Sequence, residues 1–157
     1  MTQEEMNLVH IDLCGRLPYG LKAMYENEIV EITRASSDCI VSYFKDCQHY
    51  GELSINYIKP YLRPLSSMSG DEIYSVAGIV IPGLPHNIDE TKGTCSVCCH
   101  NYTEEIEQDF SVRDLANGIY GIEGLDWLNE HHFDYRGLIQ KGLAITAPEG
   151  MYNTKKE

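Results

Sequence analysis

Glu28-Ile29-Val30-Glu31-Ile32-Thr33 and Glu52-Leu53-Ser54-Ile55-Asn56-Tyr57-Ile58 are the stretches on which the fold turns. Successive side chains of an extended chain point to opposite faces. In the second stretch this puts Leu53, Ile55 and Tyr57 on one face, and Ser54 and Asn56 on the other. Two further short apolar runs, residues 21–25 and 38–44, share the same region. Asn27, Ser36-Ser37 and Gly51 separate the runs, as turn-forming residues do. The pattern predicts an antiparallel meander of about four strands, small enough to curl toward a barrel.

The flanks read as helices. Thr2 and Glu5 fit a capping box, and Met6, Val9, Leu13 and Leu17 follow at helical spacing. Pro18 ends that helix, and Pro18-Tyr19-Gly20 forms a turn. Pro60 and Pro64 break the strand pattern. Ser69 with Glu72 is a second capping box, and Ile73, Val76, Ala77 and Val80 predict a helix over 70–80. Residues 82–93, with two prolines and two glycines, read as a loop. A helix is expected over 123–132, burying Leu125 and Leu128 and partly burying Trp127. Asp134 is a suitable N-cap for a last helix over 135–141, closed by Gly142. The expectation is a single α+β domain over 1–157. It has an N-terminal helix and β meander (1–69), an insert-like region (70–122), and a C-terminal helical hairpin and tail (123–157).

The chain has 157 residues, long enough to bury a core without a staple. It carries 24 acidic against 12 basic residues, for a net charge of −12. Nine of those acids and only Arg113 among the bases lie between Asn101 and Asp134. This balance argues against direct binding to a nucleic-acid backbone, which needs clustered Lys and Arg. It argues equally against adsorption to an anionic membrane. No run is apolar enough for a membrane-spanning helix, and the start, Met1-Thr2-Gln3-Glu4-Glu5, is polar and acidic. A cytoplasmic location is expected, with the six cysteines reduced.

The sharpest chemical pattern is Cys95-Ser96-Val97-Cys98-Cys99-His100. A Cys-x-x-Cys turn presents two thiolates to one tetrahedral ion, so zinc, if bound, would use Cys95 and Cys98. The other half-site would come from Cys39, Cys47, His49, His86 or the His131-His132 pair. No such partner adjoins the motif, so a loop of reduced thiols with no cofactor is the expectation. Tyr57, Tyr61 and Arg63 form an Arg-Tyr cluster that suits a phosphate or a stacked base. Its blander use is a strand leaving a sheet, with the arginine anchored on the chain's own carboxylates. His131-His132 beside Asp134 reads either as an oriented base or as one core and one capping imidazole. Adjacent helical residues diverge by about 100°, which disfavours both serving one site.

Several segments carry a resemblance. They are Asp12-Leu13-Cys14-Gly15-Arg16-Leu17-Pro18-Tyr19-Gly20, and Lys59-Pro60-Tyr61-Leu62-Arg63-Pro64-Leu65-Ser66-Ser67-Met68. A third is Asp126-Trp127-Leu128-Asn129-Glu130-His131-His132-Phe133-Asp134-Tyr135-Arg136-Gly137-Leu138-Ile139, and a fourth is Ala147-Pro148-Glu149-Gly150-Met151-Tyr152. Together they resemble a group of uncharacterised small proteins of gut Bacteroidales genomes, prophages and phages. The resemblance covers both ends of the chain, and the middle, about 70–123, departs from it. It implies a phage or mobile-element origin in a bacterial host cell. It brings no activity and no catalytic residue. The shared C-terminal segment is expected to face Trp127, Leu128, Phe133, Leu138 and Ile139 inward, leaving Asn129 and Arg136 as exposed polar members.

Three functions compete. The first is a non-catalytic acidic module that engages a host protein with a basic surface. The second is a small-ligand protein holding a nucleotide among Tyr57, Tyr61 and Arg63. The third is a small enzyme using Cys or His chemistry.

Overall fold

The computed structural model describes residues 1–45, 49–100 and 104–152. The chain divides into two compact units. One comprises Met1–Arg63 with Asn129–Glu157, and the other is Pro64–Leu128. Among the described residues no helix is long and apolar enough to cross a membrane.

In the first unit, helix α1 (Gln3–Arg16) starts where expected. The Thr2 hydroxyl accepts from the Glu5 N–H, and the Glu5 carboxylate accepts from the Thr2 N–H. Val9 and Leu13 are fully buried, with Met6 and Leu17 packed alongside. A 3-10 turn (Leu17–Tyr19) with left-handed Gly20 leads into β1 (Lys22–Tyr25). Glu26 and Asn27 both take positive φ, the two-residue turn that matches strand twist, and β2 (Glu28–Ala35) returns along β1. Strands β3 (Ile40–Lys45) and β4 (His49–Ser54) complete the expected antiparallel meander.

The sheet does not stop at a curled four-stranded meander. It is six-stranded and mixed, in the order β4-β3-β2-β1-β5-β9. Strand β5 (Lys59–Leu62) contains Pro60 and runs antiparallel to β1; β9 (Ile145–Thr146) runs parallel to β5. Proline removes a ladder donor, and β5 pairs over only two residues on each side, so the loss is tolerated. The run 52–58 also departs from expectation. The strand ends at Ser54, whose hydroxyl accepts from the Asn56 N–H and starts a 3-10 turn (Ile55–Tyr57). Side chains three apart share a face in that conformation. Ile55 and Ile58 are therefore buried, while Tyr57 is 70% exposed.

The last expected helix, 135–141, is a series of turns. Gly137 sits at φ +69° in its middle, which no α-helix accommodates. The Asp134 carboxylate still satisfies orphan donors, accepting from the N–H groups of Leu138 and Ile139 at 2.8 Å each. Gly142 is left-handed as expected.

In the second unit, helix α2 (Gly70–Val80) begins at a complete Ser69/Glu72 capping box and buries Ile73, Val76 and Ala77. It packs on an antiparallel sheet in the order β6-β7-β8. The strands are β6 (Leu84–Asp89), β7 (Thr94–His100) and β8 (Glu105–Ser111). Pro85, Cys95, Val97 and Phe110 form the buried face. Two expectations are corrected here. The 82–93 loop contains β6, which takes Pro85 because it is an edge strand. The cysteine motif is the regular strand β7 and not a turn. A short helix α3 (Val112–Ala116) follows from a Ser111/Asp114 capping box, and α4 (Gly121–Glu130), whose last two residues belong to the first unit, carries the half-buried Trp127 and the buried Leu128.

Gly83 lies directly against β7. A Cβ there would fall 2.4 Å from the Cys98 carbonyl oxygen and 2.7 Å from a Val97 methyl. Backbone cannot rotate away as a flexible side chain can. Gly83→Ala is therefore expected to cost about 1–3 kcal/mol, read as a lower urea midpoint with an unchanged slope. An unchanged midpoint would show that β6 and β7 do not approach this closely.

Candidate functional site

A dense polar cluster is buried inside the first unit. On α1, Asp12 and Arg16 are one turn apart and both fully buried. Arg16 donates Nε to Asp12 Oδ2 at 2.8 Å and Nη2 to Asp12 Oδ1 at 2.9 Å. Its Nη2 also donates to the Phe133 carbonyl at 2.8 Å. The fork geometry of a guanidinium makes this bidentate contact possible, and no lysine reproduces it. Arg136 brings a second cation: its Nε lies 3.4 Å from Asp12 Oδ1, within charge attraction but not aligned as a hydrogen bond. Both guanidinium groups lie over the Tyr135 ring, at 5.2 and 4.9 Å from its centroid. The Tyr135 hydroxyl donates to Asn129 Oδ1 at 2.9 Å. Asn129, expected at the surface, is buried. Gly15 makes room for it, since a Cβ there would stand 3.0 Å from the Asn129 amide nitrogen.

His132 extends the cluster. It is 2% exposed and has φ +57°, a left-handed conformation that costs free energy for a residue with a Cβ. Its Nε2 sits 3.0 Å from the Tyr19 carbonyl, which can only accept, so Nε2 carries the proton. Its buried Nδ1 has no hydrogen-bond partner. Burial pushes the His132 pKa down to about 4, with the Arg16 charge acting the same way and the Tyr19 contact opposing. The ring is stacked on Tyr152 at 3.7 Å. The Tyr152 hydroxyl accepts from the Lys22 N–H and donates to the Tyr61 carbonyl, both at 3.0 Å. Burial pushes its pKa up to about 12, so the hydroxyl keeps its proton.

The expected Arg-Tyr cluster resolves into three different environments. Tyr57 is exposed on its 3-10 turn. Tyr61 is 6% exposed, its carbonyl taken by Tyr152. The Arg63 guanidinium lies 4.2 Å over the Phe133 ring, and its backbone bridges the His132 carbonyl and the Asp134 N–H. Arg63 thus joins two backbone segments of the first unit.

The thiols are equally informative. Cys95 and Cys98 are three residues apart on a strand, so they project from opposite faces. Cys95 is in the core, where burial pushes its thiol pKa up. A shared ion would require the strand to unpair. Cys47 and the side chain of His49 lie outside the described residues. Among the described residues, no group of three or more His, Cys, Asp and Glu side chains is placed to hold a metal. Cys14 Sγ lies 3.6 Å from His10 Nε2 on α1. Its pKa is raised by burial, the opposite of an activated nucleophile.

Open chemistry lies in the second unit. It holds eleven acidic residues against two basic ones, Lys92 and Arg113. Lys92 is already paired with Asp89 at 3.1 Å. On β8, Glu105, Glu107 and Asp109 share the sheet face turned away from the buried side, about 7 Å apart along the strand. Their neighbours are His100 at 3.8 Å, His86 at 3.0 Å and the Ser96 hydroxyl at 3.3 Å. No lysine or arginine stands among these neighbours. A cleft of about 350 Å³ opens beside the row, lined by Asn87, Ser96, Asp109, Ser111 and Asp114 among others.

Two outcomes follow for the buried cluster. Arg16→Met leaves Asp12 buried without its bidentate partner and is expected to cost about 3–5 kcal/mol, measured by denaturant unfolding; a loss below 1 kcal/mol would show that the pair is not organising the unit. The His132 pKa is depressed in the fold, so its contribution is complete above the unfolded value of 6.5 and is lost as pH falls toward about 4. Across that window wild-type protein should lose about 3 kcal/mol more stability than His132→Gln. Parallel pH profiles for the two would show that the imidazole is solvated.

No family model matches the chain, and neither a curated protein nor a solved structure is similar to it, so its function is read from this geometry.

Proposed function

We propose that the chain is a non-catalytic accessory protein, of phage or mobile-element origin, that works in the cytoplasm of a bacterial host cell. It binds a host protein through complementary charge, presenting the acidic second unit to a basic surface. The observation that carries this reading is charge segregation. Residues 64–128 have a net charge of −9, out of −12 for the chain. The exposed carboxylates of β8 stand beside His86, His100 and Ser96, with no lysine or arginine among these neighbours. Such a field accelerates encounter with cationic surfaces and repels nucleic-acid backbone and anionic lipid.

The buried cluster supports the non-catalytic part of the proposal. Its histidine is neutral and committed to a carbonyl, and its tyrosine hydroxyl is bonded to backbone on two sides. A general base needs a reachable proton, and these groups face one another. The nucleotide-holding alternative draws less support, because Tyr61 is buried and the Arg63 guanidinium lies over the Phe133 ring.

The test is capture of host proteins on immobilised chain, comparing wild type with Glu105→Gln/Glu107→Gln/Asp109→Asn. A specific partner should be retained at about 0.1 M salt and released toward about 1 M, where the screening length falls from about 10 to about 3 Å. The variant should retain much less of it. A partner held equally by both proteins at high salt would overturn the acidic reading.

A further inference from the structure

The two edges of the three-stranded sheet are finished differently. Strand β6 carries Pro85, which has no N–H, and a register shift between His86 and Asp89. Proline and bulges are the devices that stop an edge from recruiting another strand. Strand β8 has neither. It pairs with β7 through seven consecutive residues, Thr94↔Ser111 to His100↔Glu105, without a shift. It contains no proline and no glycine. Among the described residues no strand pairs with its outer side. Glu105, Ile106, Glu107, Gln108 and Asp109 are all exposed, so both faces of the strand are open as well as its edge. In an antiparallel ladder alternate residues aim N–H and C=O away from the partner, so β8 holds a regular row of backbone donors and acceptors directed outward.

What remains to guard this edge is charge, and charge selects. A second copy of β8 would bring Glu105, Glu107 and Asp109 against the same three residues, and like charges across a pair are destabilising. A strand with Lys or Arg at every second position would place each cation against one of these carboxylates. Its intervening residues would fall on the opposite face, beside Ile106 and Gln108. We propose that β8 is a strand-addition site, and that its occupant is an extended, alternately basic segment of the partner protein, added as a fourth strand. This inference rests on the acidic-binder reading and specifies how that binding occurs: backbone pairing supplies geometry and the carboxylate row supplies selection.

The probe is a labelled nine-residue peptide alternating Lys with Thr or Val, titrated with the full chain and followed by fluorescence anisotropy. A second peptide of identical sequence carries N-methyl groups on alternate residues, which removes ladder donors without changing charge. A third replaces each Lys with Glu. The expected result has three parts. The first peptide binds, N-methylation weakens it at least about tenfold, and the Glu peptide does not bind. Amide hydrogen exchange should slow in β8 on binding and stay unchanged in β6. Glu107→Gln/Asp109→Asn, which leaves the backbone edge intact, should weaken the first peptide while the fold is unchanged by circular dichroism. Equal, salt-sensitive binding of the plain and N-methylated peptides would overturn strand addition and leave the acidic-binder reading standing. No binding of either would also overturn strand addition; the acidic reading would then stand or fall by the salt-dependent capture alone.

Discussion

The buried Asp12–Arg16 pair is the interaction on which the first unit depends. Two charges removed from water repay their desolvation only with good geometry and no idle donors. The bidentate contact fixes the arginine on its own helix, and its remaining reach is spent on the Phe133 carbonyl. That single bond ties residues near the N-terminus to a segment 117 positions later. Once Phe133 is placed, its neighbours follow. His132 and Asp134 bond to the backbone of Arg63 at the end of β5, and the Arg63 side chain covers the Phe133 ring. The pair thus sets the path by which the chain returns to the sheet and supplies β9.

A buried polar centre of this size resembles an active site in composition and differs from one in bonding. Catalytic groups are held by some partners and left free toward a substrate. Here Asp12 faces two arginines, the Tyr135 hydroxyl faces Asn129, and Tyr152 faces backbone. The exception is His132 Nδ1, buried without a partner and held at positive φ. Both features cost stability, and the surrounding contacts must over-determine the residue to keep it there. The stacked Tyr152 ring and the Tyr19 carbonyl do this from two directions.

Where local chemistry decides structure, the sequence was readable. The Thr2/Glu5 and Ser69/Glu72 boxes begin their helices at the expected residues, because each satisfies two orphan N–H groups within one turn. The meander β1–β4 was legible from turn residues and apolar runs. Tertiary pairing was not. Pro60 and Pro85 signal breaks, yet both lie in strands, since a short pairing and a sheet edge each tolerate a missing donor. The Cys-x-x-Cys spacing describes a chelating turn only if the chain turns there, and β8 recruits it into a ladder instead. Asp12 and Arg16 stood at helical spacing in plain view. Their burial was not legible, because an i,i+4 ion pair is usually a solvated surface feature. The acidity of the middle of the chain was legible; its arrangement as an alternating row on an open edge required the register.

The acidic unit also carries more charge than its own fold requires. A small domain stays soluble with a net charge of about 2–8, and beyond that self-repulsion works against compactness. Residues 64–128 reach −9 in 65 positions. The second unit has only Lys92 and Arg113 to set against eleven carboxylates, and Lys92 is bound to Asp89. The charge is also unevenly placed, with three carboxylates on β8, the edge of the three-stranded sheet that has no proline and no bulge. An edge that only had to avoid aggregation could use the same devices as β6, at no electrostatic cost. Leaving the ladder regular and marking it with alternating negative charge keeps the edge usable, and restricts its use to a strand of opposite sign.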